Sequence, residues 1–151
     1  MKVYFDTSVV NVFLFGKERE KARYPSVIEV FDALNKGKIE GLISMYTLQE
    51  IHAFCQQNFP EEDANRVARL AFLRLLENEL DVCPMLTRLE KTLNQRRFPI
   101  SAPSDLPHVI VADLQGCDAI LTYDTHFNEV KDRIRIYSPE SLLHEIVQKL
   151  D

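Results

Sequence analysis

Four acidic residues stand where a predicted strand ends or a predicted helix begins: Asp6 in VYFDTSVV, Glu50 in TLQEI, Asp105 in PSDLPHVIV and Asp124 in ILTYDTHF. Asp6 closes a run of strand-forming residues with no basic partner near it in the chain, which raises the question of what balances its charge. Two carboxylates about 5 Å apart repel by roughly 3 kcal/mol at an effective dielectric of about 20. Several gathered in one place would hold on to protons or recruit a hard cation. Oxygen donors without a Cys/His cluster favour magnesium or manganese over zinc. The chemistry of such a centre is that of phosphate esters: the cation binds a phosphodiester oxygen, acidifies water and stabilises charge on the leaving oxygen.

Two of the acids also have a plainer explanation. Thr47-x-x-Glu50 fits a capping box, in which Glu50 turns back to the backbone of Thr47. Asp105, next to a predicted N-cap at Ser104, suits the positive end of a helix dipole. Ser8 and Thr122 offer hydroxyls that can hydrogen-bond to the acids from behind, although Ser8 serves equally as a helix cap. Asn11 either touches substrate or faces solvent. His108 invites a general-base role, but a helix position among Val109, Ile110 and Val111 favours a packed, hydrogen-bonded ring. His126 follows Asp124 closely enough to reach substrate, although a surface role is favoured; Phe127 is read as packing beneath its loop, and Asp113 as too far along its helix to belong to the acids. Asp118 precedes its strand, at the end opposite to the acids.

The elements that must position these residues follow from periodicity. Lys2 to Phe5 reads as a strand covered on both faces, and Ile39 to Ser44, Leu80 to Cys83, Ala119 to Thr122 and Ile134 to Tyr137 as further strands. Helices are predicted from about Tyr24 to Lys36, from Thr47, from Glu61 to about Glu77, from Met85 to Arg97 with Leu86, Leu89 and Leu93, up to Gln115 before Gly116, and from Pro139 with Leu142, Leu143, Ile146 and Leu150. Strands alternating with helices imply a three-layer α/β/α domain around a mostly parallel sheet, spanning residues 1–151 as one unit. Ligands of such sheets bind beyond the carboxyl ends of the strands, which is where Asp6 and Asp124 fall.

Composition sets the remaining bounds. The 151 residues are ordinary for a globular domain, 46% hydrophobic and 27% charged, with no run approaching the ~20 apolar residues of a membrane span. Asp6 comes too early for a signal peptide, so a cytoplasmic protein is expected. Cys55, Cys83 and Cys117 are odd in number and have no ligand spacing, as expected of buried thiols. A net charge of −5 argues against coating nucleic acid by a general positive field. It leaves room for bases on the rim of an acidic pocket: Arg96 and Arg97 before the proline loop, and Lys17, Arg19, Lys21 and Arg23 after the first helix.

FDTSVV, TLQEI and SDLPHVIVADLQGCDAILTYDTHF together resemble the PIN domain family over nearly the whole chain. The run of Asp, helix, Gly-x-Asp, strand and T-x-D-x-x-F is the most specific part. Asp6, Glu50, Asp105 and Asp124 match the family's acidic quartet, while Leu106-Pro107 departs from the small residue usual after the third acid. The resemblance implies a Mg²⁺- or Mn²⁺-dependent ribonuclease, with Asp6, Asp105 and Asp124 as metal ligands and Glu50 binding the metal or orienting water. It further implies a VapC-like toxin blocked by a cognate antitoxin, and a homodimer to which Val67, Leu70 and Phe72 contribute. The alternatives are a PIN-like scaffold that binds RNA or protein without cutting, and an aspartate-based phosphohydrolase. The latter usually shows Asp-x-Asp where this chain has Asp6-Thr7-Ser8.

Overall fold

The computed structural model describes residues 1–148; Leu150, assigned above to the last helix, lies outside them. Five strands, β1 (Lys2–Phe5), β2 (Glu40–Ser44), β3 (Leu80–Cys83), β4 (Ala119–Leu121) and β5 (Arg135–Tyr137), form one sheet in the order β3-β2-β1-β4-β5. Every pairing is parallel. Between β1 and β2 run α1 (Thr7–Arg19) and α2 (Tyr24–Asn35), and between β2 and β3 run α3 (Met45–Asn58) and α4 (Glu61–Leu76). The short α5 (Arg88–Asn94) and α6 (Leu106–Leu114) lead to β4, and α7 (Pro139–Gln148) follows β5. No helix among the described residues is long and apolar enough to cross a membrane.

Alternating residues of the strands explain the three layers. Val3, Phe5, Ile43 and Leu121 face α1, α2, α3, α4 and α7 in one core. Tyr4, Leu42 and Ile120 face α6 and its neighbouring loops in the other. The chain moves outward from β1 to β2 and β3, then crosses to the far side of β1 for β4 and β5. The sheet's switch point therefore lies between β1 and β4, where the connections leave in opposite directions and open a crevice at the carboxyl edge. Asp6 caps α1 there, and its backbone N–H bonds to Leu121 O at 3.0 Å.

Two helix ends are closed by glycine with positive φ, Gly37 at 68° and Gly116 at 67°. Each completes a Schellman motif: Lys38 N–H donates to Ala33 O at 3.0 Å, and Cys117 N–H donates to Ala112 O at 2.9 Å. The second turn directs the chain from α6 into β4 and thus towards Asp124.

Several local expectations change. The helix expected over Met85–Arg97 shrinks to α5, because Thr87 and Glu90 form a capping box that starts it late. Its Leu89 and Leu93 are solvent-exposed, and Asn94 is the residue turned inward. Lys17 and Arg19 belong to the last turn of α1 rather than following it. Leu70 of α4 is exposed together with Leu73 and Leu76, whereas Val67 and Phe72 pack partly against the core. All three cysteines are buried and free, and burial pushes the Cys117 thiol up to about 11.

Candidate active site

Asp6 is held by a cage of donors. Its Oδ2 accepts from Ser8 Oγ at 2.6 Å, Ser8 N at 3.2 Å and Thr122 Oγ1 at 2.8 Å. Thr122 Oγ1 also accepts from the backbone N–H of Asp124 at 2.9 Å, and Ser8 Oγ from that of Tyr123 at 3.0 Å. These bonds tie the loop after β4 to the start of α1. Because all three donors reach Oδ2, Oδ1 is left without a hydrogen bond among the described residues. Asp6 is almost fully buried, so a carboxylate there is stabilised by these donors on one oxygen and needs a positive partner on the other.

Glu50 is not part of a capping box. α3 starts at Met45 with Ser44 as its N-cap, so Thr47 already lies inside the first turn, buried, its hydroxyl 3.4 Å from Tyr4 Oη. Glu50 is thereby free to point to the crevice, where Oε2 accepts from the Thr7 hydroxyl and Oε1 lies 3.2 Å from His108 Nε2. Burial resists its charge, but the bonds from His108 and Thr7 outweigh burial and hold the carboxyl below its ordinary range. His108 behaves reciprocally: burial opposes its protonation, yet the bond to Glu50 and the fields of Glu50, Asp6 and Asp105 raise it. Its Nδ1 is 2.7 Å from Tyr4 Oη, itself 2.7 Å from Ser44 Oγ. Burial pushes the Tyr4 phenol far above its usual range, so it remains an O–H. Neutral His108 accepts from Tyr4 at Nδ1, and charged His108 donates there; in both states Nε2–H donates to Glu50. The ring is thus packed and hydrogen-bonded, as its sequence context suggests.

Asp105 sits immediately before α6, with Pro107 in the first turn where no amide bond is lost. It, rather than Ser104, occupies the N-cap position, and its side chain makes no cap bond. Its Oδ2 is buried with no hydrogen-bond partner among the described residues. Burial, then the charges of Asp124 and Asp6, raise its carboxyl. Asp124 caps a 3₁₀ turn over Thr125–Val130, a segment not anticipated from the sequence, through a 2.9 Å bond from His126 N. That turn buries Phe127, as expected, while His126 stays exposed beside the acids. His126 Nδ1 lies 3.1 Å from Asp124 Oδ1 and 3.7 Å from Asp105 Oδ2. One ligand atom each from Asp105, Asp124 and His126 falls within 4.8 Å of the others.

The tightest group of potential ligand atoms is thus two acids and an imidazole, with Asp6 and Glu50 set around it. His126 is exposed, as its surface assignment expects, and its ring nitrogen also reaches the acids, as its place two residues after Asp124 suggests. Asp6 joins through its field on Asp105, and Glu50 through Thr7, the residue after Asp6. An enclosed carboxylate oxygen with no donor, facing a second carboxylate and a ring nitrogen, fits a divalent cation.

The other residues singled out above are placed as follows. Arg97 bonds Asp113 at 2.9 Å and Asn94 at 2.6 Å. Asp113 is eight residues from Asp105 along α6, about 12 Å at 1.5 Å per residue, so Arg97 pairs with an acid outside the candidate site. Arg96 is exposed. Asp118 accepts from Lys2 N at 2.8 Å, at the opposite end of the sheet. Asn11 is half-buried, with Oδ1 enclosed and unpartnered.

A family model described as PIN domain matches residues 3–133. No curated protein sequence matches. Among solved structures, VapBC2 from Rickettsia felis, bound to a DNA fragment from its promoter, is 14% identical with a TM-score of 0.63, over 91% of this chain and 98% of that one. VapC20 of Mycobacterium tuberculosis, a sarcin-ricin loop cleaving toxin, is 15% identical with a TM-score of 0.62, over 83% of this chain and 92% of that one. FitAcB from Neisseria gonorrhoeae is 16% identical with a TM-score of 0.64, over 91% and 98% respectively. At these identities the likeness is one of fold.

Proposed function

This chain belongs to the PIN domain family, and from that premise we propose that it is a divalent-metal-dependent ribonuclease, acting in the cytoplasm as the toxin of a toxin–antitoxin pair. The observation that carries the proposal is the buried, unpartnered Oδ2 of Asp105 beside Asp124 and His126. Support also comes from VapC20, a sarcin-ricin loop cleaving toxin of the same fold.

Asp105, Asp124 and His126 would hold Mg²⁺ or Mn²⁺, with Asp6 offering Oδ1 from the β1 side. The cation, when bound, supplies charge neutralisation and an acidified water. Ser8 and Thr122 hold Asp6 in one orientation by occupying its other oxygen. Glu50, whose carboxyl His108 and Thr7 hold below its ordinary range, would bind a metal-held water or orient the attacking one. A homodimer formed through the exposed leucines of α4 and inhibition by a cognate antitoxin belong to the same proposal.

Purified protein is expected to cut labelled RNA with Mg²⁺ or Mn²⁺ and to stop in chelator. Asp6→Asn and Asp124→Asn should abolish cleavage while keeping native circular dichroism. Cleavage that survives in both variants refutes the site. Growth arrest on expression, relieved by a small adjacent gene, tests the toxin role.

A further inference from the structure

We propose that the groove along α1, leading away from the acidic cluster, is a subsite for the single-stranded RNA that flanks the bond to be cut; it rests on the ribonuclease reading for its substrate. Ser8, Asn11, Phe15 and Arg19 follow at helical spacing and share one face of α1. Ser8 and Arg19 are separated by about 16 Å along the axis. Phe54 of α3 and Arg23 help to enclose a cavity of about 410 Å³ on this face.

One end of the groove is the Asp6 site itself, through the Ser8 hydroxyl. The other end is cationic. The Arg19 guanidinium lies 5.3 Å over the ring of Phe59, and that of Arg23 lies 4.5 Å over Tyr123. Stacking fixes the plane of a guanidinium while leaving its N–H edge for a phosphate. The Arg23–Glu20 contact at 3.5 Å is an open surface pair, too weak to commit Arg23. Between the ends, Phe15 stacks on Phe54 with centroids 5.1 Å apart. Both rings are half-buried and line the cavity. Beside them the half-buried amide of Asn11 lines the cavity, its enclosed Oδ1 without a donor among the described residues. Arginines for phosphates, aromatic rings for bases and an unanchored amide make up a single-strand binding surface. Two arginines would also suit an acidic peptide, but the groove's continuity with the site proposed to cut a phosphodiester selects RNA.

The test is fluorescence anisotropy with labelled single-stranded oligouridylate and the full chain carrying Asp6→Asn in Mg²⁺, so that the RNA stays intact. Adding Arg19→Ala with Arg23→Ala is expected to lower the log–log salt slope of binding by about 1.4, which is ~0.7 per phosphate contact. Arg19→Lys with Arg23→Lys should restore the slope. Glu20→Gln should tighten binding, which the loss of a merely structural ion pair would not do. Phe54→Leu keeps the packing but removes the flat face, and should weaken binding roughly ten-fold. An unchanged slope in the double alanine variant overturns the proposal. So does failure of the parent to bind, or loss of oligoglutamate binding with RNA binding intact. Failure of the ribonuclease reading is seen separately, as wild-type protein that cuts no RNA while these slopes remain measurable.

Discussion

Replacing Asp105 by asparagine should make the metal-free protein more stable and the metal-loaded protein less stable than wild type. Asp105 and Asp124 bring ligand atoms within 4.8 Å of each other, a repulsion of about 3.5 kcal/mol at an effective dielectric of about 20. Asp105 is 13% exposed but Asp124 is 36% exposed, so solvent and salt reduce this to roughly 1–2 kcal/mol. Asp105→Asn removes that repulsion. In chelator it should raise the Tm by roughly 3–6 °C for a chain of this size. In Mn²⁺ at a hundred times its Kd, wild type gains about 2.7 kcal/mol. The variant, short of a ligand, gains little, and the order of stabilities inverts.

The pH dependence fixes the sign independently. The folded Asp105 carboxyl lies above its ordinary value of 3.8. Its ionisation therefore costs stability, which is fully present at low pH and lost as pH rises through the folded value. The advantage of Asp105→Asn in chelator should accordingly vanish on acidification, where wild type is itself neutral at this position. Calorimetry with chelator or Mn²⁺ reads each of these differences. A variant no more stable than wild type in chelator, or a wild-type Tm indifferent to Mn²⁺, would refute the argument.

Thr122→Val removes a donor to buried Asp6 and an acceptor for Asp124 N; a loss of about 1–3 kcal/mol is expected in urea unfolding. The Glu50–His108 pair should stabilise the protein only within a pH window. Glu50, lowered, contributes above its ordinary 4.5 and loses the contribution as pH falls through its folded value. His108, raised, contributes below its ordinary 6.5 and loses the contribution as pH rises through its folded value. His108→Leu should flatten that profile of urea midpoint against pH. Gly116→Ala forces a Cβ into the left-handed region at φ 67° and should cost about 1–2 kcal/mol, visible as a lower Tm with native circular dichroism.

Much of the scaffold was legible because it is written locally. Continuous apolar runs in β1, β2 and β4, the glycines after α2 and α6, and the acids in the first turn of α4 each report on neighbours a few residues away. Where two local explanations competed, local pattern could not choose. Thr47-x-x-Glu50 and Thr87-x-x-Glu90 carry the same signature, yet only the second is a capping box. α3 begins three residues earlier than the first box requires, because Ser44 is drawn inward to Tyr4 and Thr47 is buried behind it.

The types and chain positions of Asp6, Glu50, Asp105 and Asp124, and the strand ends that two of them follow, belong to the sequence by itself. Its tertiary structure decided which of their oxygens meet. Parallel pairing of β1 with β4 puts Thr122 on Asp6, across 116 residues of chain, and docking of α6 against the sheet brings His108 to Glu50, 58 residues away. The 3₁₀ turn after Asp124 adds His126, and α5 lets Arg97 settle on Asp113. Charge, hydrogen bonding and metal affinity act through space over a few ångströms, and those separations exist only once the sheet and both layers of helices have packed.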